Sequence, residues 1–473
     1  MRKKLRAISL LLALTFCVNT IAFGATKPVA PEIKAESAIL VEASTGKVLY
    51  EKNSTKQMYP ASMTKLLTTI VALDYFKPED VIVVGNEIND VSLDSSKAGH
   101  VNGESITMEN LVRGLIIPSG NDSATVVASA VAKKETGNKD LSSRESERIF
   151  AELMNKKAKE LGCTDSNFVN PHGYHDERHY TTAEDMAKIA AAALKIDLLK
   201  RICGEKEYSG NGMGSADTTG LITNQYDWTS HNLLITSGEY AYPYATGMKT
   251  GFTDEAGNCV TASAEKDGVS LIAVIFNSED PGRWEDAAKL FDYGFENFGF
   301  FTLAKNGTSV GEVELYNNKV SDGNNLKLII KEDVSLFLEK TDVGAVETKI
   351  DITNDEYIYK SKDESDTNIK IKAPIEKDTE LGTVKYSLNG EVLAESKIYA
   401  EKSIEKATLI EKIGYTAKRI ISKIFTIKGL LTVVGTVVGI GALVLIARFF
   451  YNRSRAPKNR YKFKSNKRGG RRF

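Results

Sequence analysis

The alternation of apolar and polar residues divides the chain into a mixed first part and a β-rich second part. Between residues 37 and 300, short strand patterns alternate with runs in which apolar residues recur every three or four positions, as along one face of a helix. From residue 302 to about residue 400, apolar and polar residues alternate one by one, and Asn389-Gly390 indicates a hairpin turn. The pattern predicts a domain of helices and strands, followed by a small all-β domain.

Within the first domain, strands are predicted on either side of the turn Ser44-Thr45-Gly46 and again over residues 244–276. Thr181 and Glu184 have the spacing of a capping box at the start of a helix. Residues 134–148 are polar and are expected to form an exposed connection. The predicted helices cover residues 62–76, 108–117, 122–133, 149–161, 181–199 and 287–300.

Helical spacing returns over residues 404–427, where apolar residues share one face and lysines and arginines occupy the other. This pattern fits a helix on an anionic lipid surface, which the next segment favours, and it also fits a coiled-coil stem. Residues 429–447 are uncharged and apolar over a length that spans a bilayer. Gly435 and Gly439 also fit a helix–helix contact in the membrane, although small residues are common in such helices.

Both ends of the chain are basic. Eleven basic residues and no acidic ones lie between Arg448 and Phe473, so the positive-inside rule predicts a cytoplasmic tail. The first six residues include four basic ones, a short apolar run follows, and Ala22-Phe23-Gly24 provides a small-x-small cleavage site. This arrangement predicts a secretory signal, cleaved after Gly24 or Ala25, with the folded domains on the extracytoplasmic side of the cell membrane.

The charge balance restricts the possible partners. Basic and acidic residues are equal at 62 each, so the basic ends leave the middle of the chain with an excess of about fifteen acidic charges. Nucleic-acid binding requires basic patches, and we exclude it for the folded domains. Cys163, Cys203 and Cys259 cannot all pair and lack the spacing of metal ligands, so we interpret them as small buried apolar residues.

Ser62 and Lys65 lie three residues apart at the start of a predicted helix, just after Pro60. A serine hydroxyl is a weak nucleophile until a base takes its proton, and a lysine becomes such a base where burial or a second cation lowers its pKa. The same spacing is also common on solvated helix faces. What favours chemistry here is that Ser119-Gly120-Asn121 and Lys249-Thr250-Gly251 follow in the order of a known three-motif signature.

With these motifs the chain resembles the serine D-alanyl-D-alanine carboxypeptidases, the low-molecular-weight penicillin-binding proteins. The resemblance covers roughly residues 30 to 400. It includes Asn170-Pro-His-Gly-Tyr, the run from His179 to Ala187, and the run from Lys249 to Gly257. Gly120, in place of the aspartate of the general signature, is common in these carboxypeptidases.

The resemblance implies a penicillin-binding or β-lactamase-like catalytic domain, α+β, in which helices flank a central antiparallel sheet. We expect a small all-β domain and a C-terminal transmembrane helix after it. The predicted organisation is a signal peptide (1–24), catalytic domain (25–301), β-rich domain (302–400), amphipathic juxtamembrane helix (401–428), transmembrane helix (429–449) and basic cytoplasmic tail (450–473).

The resemblance also implies a role for each motif residue. Ser62 would attack the carbonyl between two terminal D-alanines of a peptidoglycan stem peptide, with Lys65 as general base. Ser119 would relay protons and Asn121 would hold the substrate amide and Lys65. The remaining expected roles are an oxyanion hole from the backbone N–H groups of Ser62 and Phe252, and substrate binding by Lys249, Thr250, Gly251 and Arg283.

The expected partners are stem peptides ending in D-Ala-D-Ala, β-lactams as covalent inhibitors of Ser62, and the membrane, in a protein of cell-wall maturation. No metal or organic cofactor is implied. His172, His175 and His179 raise the question of a metal site, but the turn at Gly173 favours structural histidines. The basic tail is a candidate site for an unidentified partner.

Two rival functions stay open on the sequence. A β-lactamase would need a deacylating carboxylate in a Glu-x-x-x-Asn loop motif, whereas Glu152 and Asn155 have a different spacing in a helical pattern. A non-catalytic penicillin-binding sensor or wall-binding module would be expected to have lost the nucleophile or base, whereas all three motifs are intact.

Overall fold

The computed structural model describes residues 27–214, 218–359, 369–424 and 427–454. The predicted signal peptide and residues 455–473 of the tail lie outside the described residues. The described chain forms two compact units. Unit 1 extends to Phe301 and also contains Ser335–Val346, while unit 2 consists of Thr302–Val334 and the chain from Glu347 onward.

The strands are numbered in chain order and have these bounds: β1 (Ser37–Glu42), β2 (Val48–Lys52), β3 (Val81–Val83), β4 (Ser105–Thr107), β5 (Glu207–Asn211), β6 (Gln225–Thr229), β7 (Ala245–Thr253), β8 (Gly257–Lys266), β9 (Val269–Ser278), β10 (Phe298–Ala304), β11 (Ser309–Tyr316), β12 (Asn325–Ile329), β13 (Val334–Glu339), β14 (Glu347–Ile352), β15 (Ile358–Tyr359), β16 (Lys370–Lys372), β17 (Glu380–Leu388) and β18 (Glu391–Ala400). The α-helices are α1 (Lys65–Tyr75), α2 (Met108–Ile116), α3 (Asn121–Thr136), α4 (Ser143–Glu160), α5 (Ala183–Leu194), α6 (Asp197–Cys203), α7 (Gly282–Asn297), α8 (Leu409–Ile424) and α9 (Ile427–Ser454).

A five-stranded antiparallel sheet with the order β2-β1-β9-β8-β7 is the centre of unit 1. All six residues of β1 are buried because helices cover both faces of the sheet. Ile39 and Val41 join the larger apolar cluster formed with α1 to α6, whereas Ala38 and Leu40 join a second cluster with α7. Alternate residues of β1 therefore contribute to two apolar cores, one on each face of the central sheet.

Local capping explains where two helices differ from the predicted ones. Helix α4 begins at Ser143, inside the stretch predicted as an exposed connection, because Ser142 and Glu145 form a reciprocal capping box. Helix α5 is capped by Thr182, whose side chain accepts from the N–H of Asp185, and not by Thr181. The predicted helix over 181–199 is two helices, α5 and α6.

Two small hairpins lie outside the central sheet of unit 1. Strands β3 and β4 pair in an antiparallel manner. Strands β5 and β6 pair over Glu207–Thr229, which the sequence pattern did not predict. In β6 only Tyr226 and Trp228 are buried, so one face of this short hairpin contributes to the core and the other is exposed.

Unit 2 contains a seven-stranded sheet with the order β14-β17-β18-β12-β11-β16-β15. The predicted hairpin at Asn389-Gly390 joins β17 to β18, and both turn residues have positive φ angles, +52° and +86°. Leu326 and Leu328 are buried as the alternation predicts. The alternation fails at β13, where the adjacent residues Phe337 and Leu338 are both buried and residues from Ser335 belong to unit 1.

The C-terminal region is helical, as predicted. In α8, Leu409, Ile410 and Ile413 are exposed on a strongly amphipathic helix. Within α9 the segment Leu431–Arg453 is long and apolar enough to cross a membrane, and its side chains are not buried by the rest of the described chain. This helix is compatible with membrane attachment.

Candidate active site

The first motif begins in a 3-10 helix, Ala61–Thr64, that continues directly into α1. In a 3-10 turn, residues three apart eclipse one another, so Ser62 is brought directly to Lys65. Ala61, just before the serine, has a positive φ of +46°, a conformation that costs energy for a residue with a Cβ. Ser62, the predicted nucleophile, therefore lies on a tightly turned and strained segment.

Lys65 is fully buried, and its Nζ atom joins three parts of the chain. Nζ lies 2.7 Å from Ser62 Oγ, 2.7 Å from Asn121 Oδ1 and 2.9 Å from the carbonyl oxygen of His172. Burial lowers the pKa of Lys65 well below its ordinary value, the charge of Lys249 lowers it further, and Asp122 opposes the shift. These contacts place the first and second motifs within hydrogen-bond distance of each other.

The second motif is a turn at the start of α3. Ser119 is buried, with a positive φ of +62°, and Asn121 is the first residue of the helix. A Cβ on Gly120 would lie 2.7 Å from the Cβ of Ala98 and 2.8 Å from its backbone nitrogen. Glycine is therefore required here because the segment around Ala98 packs against the turn, which accounts for the departure from the Ser-Asp-Asn signature.

The Asp122 carboxylate holds the segment around Ala98 in place. Its carboxylate accepts from the backbone N–H groups of Ala98 at 2.7 Å and Gly99 at 2.8 Å, while the N–H of Asn121 donates to Ser96 at 2.8 Å. A buried carboxylate that accepts several N–H bonds is well satisfied. Asp122 is a residue beside the candidate site that the sequence analysis did not single out, although it directly follows the second motif.

The third motif lies on β7, which is one of the two edge strands of the central sheet. Lys249 is buried, and its Nζ donates to the carbonyl oxygen of Thr250 at 3.1 Å. Burial lowers the pKa of Lys249 to about 7, and the nearby Arg283 adds to the shift while Cys203 opposes it. Lys249 is thus a cation that loses its proton near neutral pH.

Arg283 lies in the first turn of α7, with its guanidinium 4.5 Å from the centre of the Trp284 ring. Burial lowers its pKa, and its Nε atom is buried without a hydrogen-bond partner among the residues that the structure describes. An unpaired buried donor of this kind is ready to bind an anion.

The predicted site residues line one cleft of about 510 Å³. Ser62, Ser119 and Asn121 lie on its walls together with Thr250 and Arg283. The remaining lining residues include Gly251, Phe252, Asp94, Ser95, Ser96, His172, Gly173, Tyr174, His175, His231, Thr253, Asp254 and Glu255. Lys65 and Lys249 lie buried behind this surface.

The turn Asn170-Pro171-His172-Gly173-Tyr174 packs against the 3-10 helix that contains Ser62. A Cβ on Gly173 would lie 1.8 Å from the carbonyl oxygen of Ala61, and the residue has a φ of +81°, so both space and conformation require glycine. His172 contributes its carbonyl to Lys65 and lines the cleft. The sequence analysis favoured a structural histidine over a metal ligand here and did not assign His172 to the cleft that it lines.

The other histidines have separate surroundings. His179 contacts the hydroxyl of Thr64 at 2.9 Å, and burial lowers its pKa to about 3. His175 packs edge-on to Tyr59. His231, which the sequence reasoning did not single out, lines the cleft beside Arg283. Within the described part of the chain, no group of three or more histidine, cysteine or acidic side chains is arranged to hold a metal ion.

Cys163, Cys203 and Cys259 are buried with free thiols, as predicted. Burial raises the pKa of Cys203 and of Cys259 to about 12. A thiol that holds its proton in this way is neither a nucleophile nor a metal ligand at neutral pH.

Comparison with known proteins is consistent with this geometry. Residues 24–280 match the family model described as D-alanyl-D-alanine carboxypeptidase, and residues 298–406 match the C-terminal domain of penicillin-binding protein 5. The D-alanyl-D-alanine carboxypeptidase DacF of Bacillus subtilis (strain 168) is 34% identical over 383 residues, which are 80% of this chain and 87% of the relative.

Solved structures show the same fold. Penicillin-binding protein 5 from Haemophilus influenzae has 26% sequence identity and a TM-score of 0.57 over 80% of this chain and 100% of that chain. The Streptomyces K15 DD-transpeptidase has 26% identity and a TM-score of 0.51 over 57% of this chain and 100% of that chain. The expected fold class is confirmed, with a penicillin-binding catalytic unit and an all-β unit after it. Since the first family model covers more than half of the chain, this protein belongs to the family of serine D-alanyl-D-alanine carboxypeptidases.

Proposed function

We propose that Ser62 is the nucleophile of the carboxypeptidase and that neutral Lys65 is its general base. The hydrogen bonds of Lys65 carry this proposal. Asn121 Oδ1 and the His172 carbonyl oxygen can only accept, so they take the two N–H bonds of a neutral amine. The remaining lone pair then faces the Ser62 hydroxyl 2.7 Å away, and the hydroxyl donates its proton to it.

The substrate would bind with its terminal carboxylate at the basic end of the cleft. Lys249 and Arg283 supply positive charge there, and the Thr250 hydroxyl supplies a hydrogen bond. Gly251 and the strand edge of β7 would hold the peptide backbone, because an edge strand offers unpaired main-chain groups. This arrangement selects a peptide with a free carboxyl end.

Attack of Ser62 Oγ on the carbonyl between the two D-alanines would give a tetrahedral intermediate. The backbone N–H groups of Ser62 and Phe252 are the proposed donors to its oxyanion. Asn121 would hold the substrate amide, and Ser119 would relay the proton to the departing amine. The Ser119 hydroxyl makes no hydrogen bond to another described residue, so it is available to substrate. Water then hydrolyses the acyl-enzyme.

The substrate that we propose is the peptidoglycan stem pentapeptide, from which the terminal D-alanine is removed during cell-wall maturation. A β-lactam would acylate Ser62 by the same attack and remain bound. The likeness to penicillin-binding protein 5 supports both parts of this proposal.

For the membrane arrangement, we propose a single span within α9, the catalytic unit on the extracytoplasmic side and the basic tail in the cytoplasm. The apolar segment Leu431–Arg453 and the basic residues after it support this topology. The tail is a candidate site for a partner. A deletion of residues 453–473 that leaves localisation unchanged would remove that part of the proposal.

The test combines intact mass with product release for the full chain in detergent. We expect a stable benzylpenicillin adduct and release of D-alanine from a peptide ending in D-Ala-D-Ala. Ser62→Ala should show neither and should keep the wild-type unfolding temperature. An adduct without release would indicate a sensor, and rapid turnover of the β-lactam without a lasting adduct would indicate a β-lactamase.

A further inference from the structure

A buried cluster of polar side chains lies beside the second motif and takes no part in the mechanism described above. It consists of His100 and Glu104 before β4, Ser123 in the first turn of α3, and Tyr226 on β6. His100 Nε2 lies 2.7 Å from Ser123 Oγ. Nδ1 of the same ring lies 2.8 Å from Glu104 Oε1 and 2.7 Å from the Tyr226 hydroxyl. The cluster therefore joins three separate segments of unit 1.

The contacts of Ser123, His100 and Glu104 have the order of a catalytic triad, but the cluster is not placed to act as one. The side chains of His100 and Glu104 have no exposed surface, and Ser123 is fully buried. A nucleophile must reach a substrate carbonyl, and none of these three residues lines the active-site cleft. The contacts that would activate a serine in a triad here hold segments of the chain together.

The chemistry of the groups assigns the donors and acceptors. The Glu104 carboxylate accepts from the Tyr226 hydroxyl and from His100 Nδ1–H. His100 Nε2 then has a free lone pair, which accepts the proton of the Ser123 hydroxyl. Because both ring nitrogens have partners, the ring is held in one orientation.

The segment that ends at His100 forms part of the cleft wall, because Ser96 lines the cleft. The N–H of Asn121 donates to the Ser96 carbonyl oxygen at 2.8 Å, and the Ser123 hydroxyl holds the other end of the segment through His100. Both bonds start from the first turn of α3, which also places Asn121 Oδ1 2.7 Å from Lys65 Nζ. The wall and the contact to the proposed base therefore depend on the same turn.

The Ser123 hydroxyl is closely packed. A Cβ on Gly114 of α2 would lie 2.3 Å from Ser123 Oγ and 3.3 Å from the Cβ of Ala98. The hydroxyl and Ala98 thus pack against the same point of α2, where glycine leaves room for both. A shift of the first turn of α3 would therefore also displace the segment around Ala98.

The cluster is costly to bury, which argues against stability as its only role. Glu104 Oε2 is buried without a hydrogen-bond partner among the residues that the structure describes. A partly satisfied buried carboxylate disfavours folding, and apolar side chains of the same volume would avoid that cost. Hydrogen bonds have defined directions, so a polar cluster fixes geometry more closely than an apolar one.

We propose that His100 is a positioning residue of the carboxypeptidase, which holds the first turn of α3 so that Asn121 stays in contact with Lys65. The inference rests on the proposed function, because His100 acts through Asn121 and the base and does not touch substrate. Without the bond from Ser123 to His100, the turn would be free to shift. A shift of about 1 Å in a catalytic group lowers a rate about a hundredfold.

The same shift would change the pH dependence of the reaction. Burial lowers the pKa of Lys65, the charge of Lys249 lowers it further, and Asp122 opposes the shift. If Asn121 moved away, water would reach Lys65 Nζ and its pKa would rise towards the ordinary value. The rise of kcat with pH would then occur at higher pH. A variant that is only less stable would lower the rate without moving this rise.

The experiment replaces His100 by two amides in the full chain in detergent micelles. The asparagine amide lies where His100 has Nδ1, so His100→Asn keeps a bond to Glu104 and loses the bond to Ser123. The longer glutamine reaches the position of Nε2, so His100→Gln keeps the bond to Ser123. Ser123→Ala removes the same bond from the other side. Leu271→Ala, in the apolar cluster on the other face of the central sheet, is the control for lost stability.

We expect His100→Asn to lower kcat for D-alanine release about a hundredfold and to shift its rise upward by about half a pH unit. Ser123→Ala should do the same. The double variant should be no slower than either single one, because both substitutions remove one bond. His100→Gln should stay within about fivefold of wild type. Leu271→Ala should lower the unfolding temperature and leave kcat of the folded enzyme and its pH dependence unchanged.

Several results would overturn the role of His100 alone. They are wild-type kinetics in both His100→Asn and Ser123→Ala, equal losses in the two amide variants, or a double variant whose loss is the product of the single losses. A loss of kcat in Leu271→Ala that matches its fall in unfolding temperature would also do so, because the effect would then follow stability. If His100→Asn does not fold, Ser123→Ala decides, since it removes a single hydroxyl. A wild type that neither releases D-alanine nor forms a penicillin adduct overturns the proposed function itself.

Discussion

The two units differ most in what they bury. Unit 1 encloses ionisable side chains, among them Lys65, Lys249, Glu104 and Asp286, each with no more than 1% of its surface exposed. In the described part of unit 2, the buried residues with polar side chains are Asn318, Ser396 and Tyr386, and none of them is an acidic or basic residue. Unit 2 has an apolar core with its charges outside, whereas unit 1 contains charges that favour unfolding unless they are neutralised or hydrogen-bonded.

The cost of burying ionisable groups in unit 1 is reduced in two different ways. Asp286 is fully satisfied, because it accepts from the N–H groups of Lys34 and Ala35 and from the Ser278 hydroxyl. Lys65 and Lys249 are not paired with carboxylates, and their pKa values fall instead. The difference fits a structural role for the carboxylate and the catalytic roles that we propose for the lysines.

The largest effect is expected from removing the base. Lys65→Met keeps the volume of the side chain but leaves Ser62 without a proton acceptor and Asn121 without its partner. We expect kcat/KM for D-alanine release to fall about ten-thousandfold, as for the loss of a residue of a nucleophile–base pair. Thermal unfolding should show equal or higher stability, because a buried amine is removed. A variant that is inactive only because it is unfolded would contradict this interpretation.

Gly173→Ala should have the next largest effect. A methyl group would collide with the Ala61 carbonyl, and the φ of +81° adds a cost of about 1 kcal/mol. We expect a loss of about 3 kcal/mol in the free energy of unfolding and about a hundredfold in penicillin acylation rate, because the nucleophile turn must move.

Gly162→Ala is its matched control, with a φ of +82° and no atom within 4 Å of the added Cβ. It should cost only about 1 kcal/mol and leave acylation unchanged. Equal losses in the two variants would show that backbone conformation alone is responsible, and not the contact with Ala61.

A core substitution in unit 2 should affect stability without affecting chemistry. Leu328 on β12 is 1% exposed, and Leu328→Ala should destabilise unit 2 by about 3 kcal/mol. Hydrogen exchange should report faster exchange in β11, β12 and β18, while D-alanine release stays within about twofold. In unit 1, Leu67→Ala should lower both stability and activity. A fall in activity for Leu328→Ala would contradict the separation of roles.

The smallest effect that we predict is a pH dependence set by the two lysines. Lys65 accepts a proton only when it is neutral. Because its pKa is lowered, the rate should rise with pH well below pH 10.5, which is the ordinary pKa of a lysine. Lys249 attracts the substrate carboxylate only when charged, so kcat/KM should fall about tenfold per unit above its pKa of about 7. A bound substrate carboxylate raises the pKa of Lys249. The fall in kcat should therefore occur at a higher pH than the fall in kcat/KM.

Two controls identify the group responsible for the alkaline fall. Lys249→Arg should abolish it, because a guanidinium keeps its charge throughout this range. A substrate ending in D-alaninamide lacks the carboxylate and should show no fall with the wild-type enzyme. An alkaline limb that persists in both cases would assign the titration to another residue.

The candidate motifs and much of the local structure could be predicted from the sequence alone. The Ser62 and Lys65 spacing, the motifs at residues 119 and 249, the hairpin at Asn389-Gly390 and the apolar segment in α9 are readable because each depends on neighbouring residues. Strand alternation likewise predicted the β-rich unit, and it failed at β13, where the chain passes from one unit to the other.

Only the tertiary structure decided how those residues act. The His172 carbonyl at Lys65, the Asp122 bonds to Ala98 and Gly99, and the contact of Tyr226 with His100 all join segments far apart in sequence. Every residue has a backbone carbonyl, so the sequence does not show which carbonyl contacts Lys65. The lowered pKa of Lys65 depends on complete burial and on a second lysine 184 positions away, so it exists only in the folded protein.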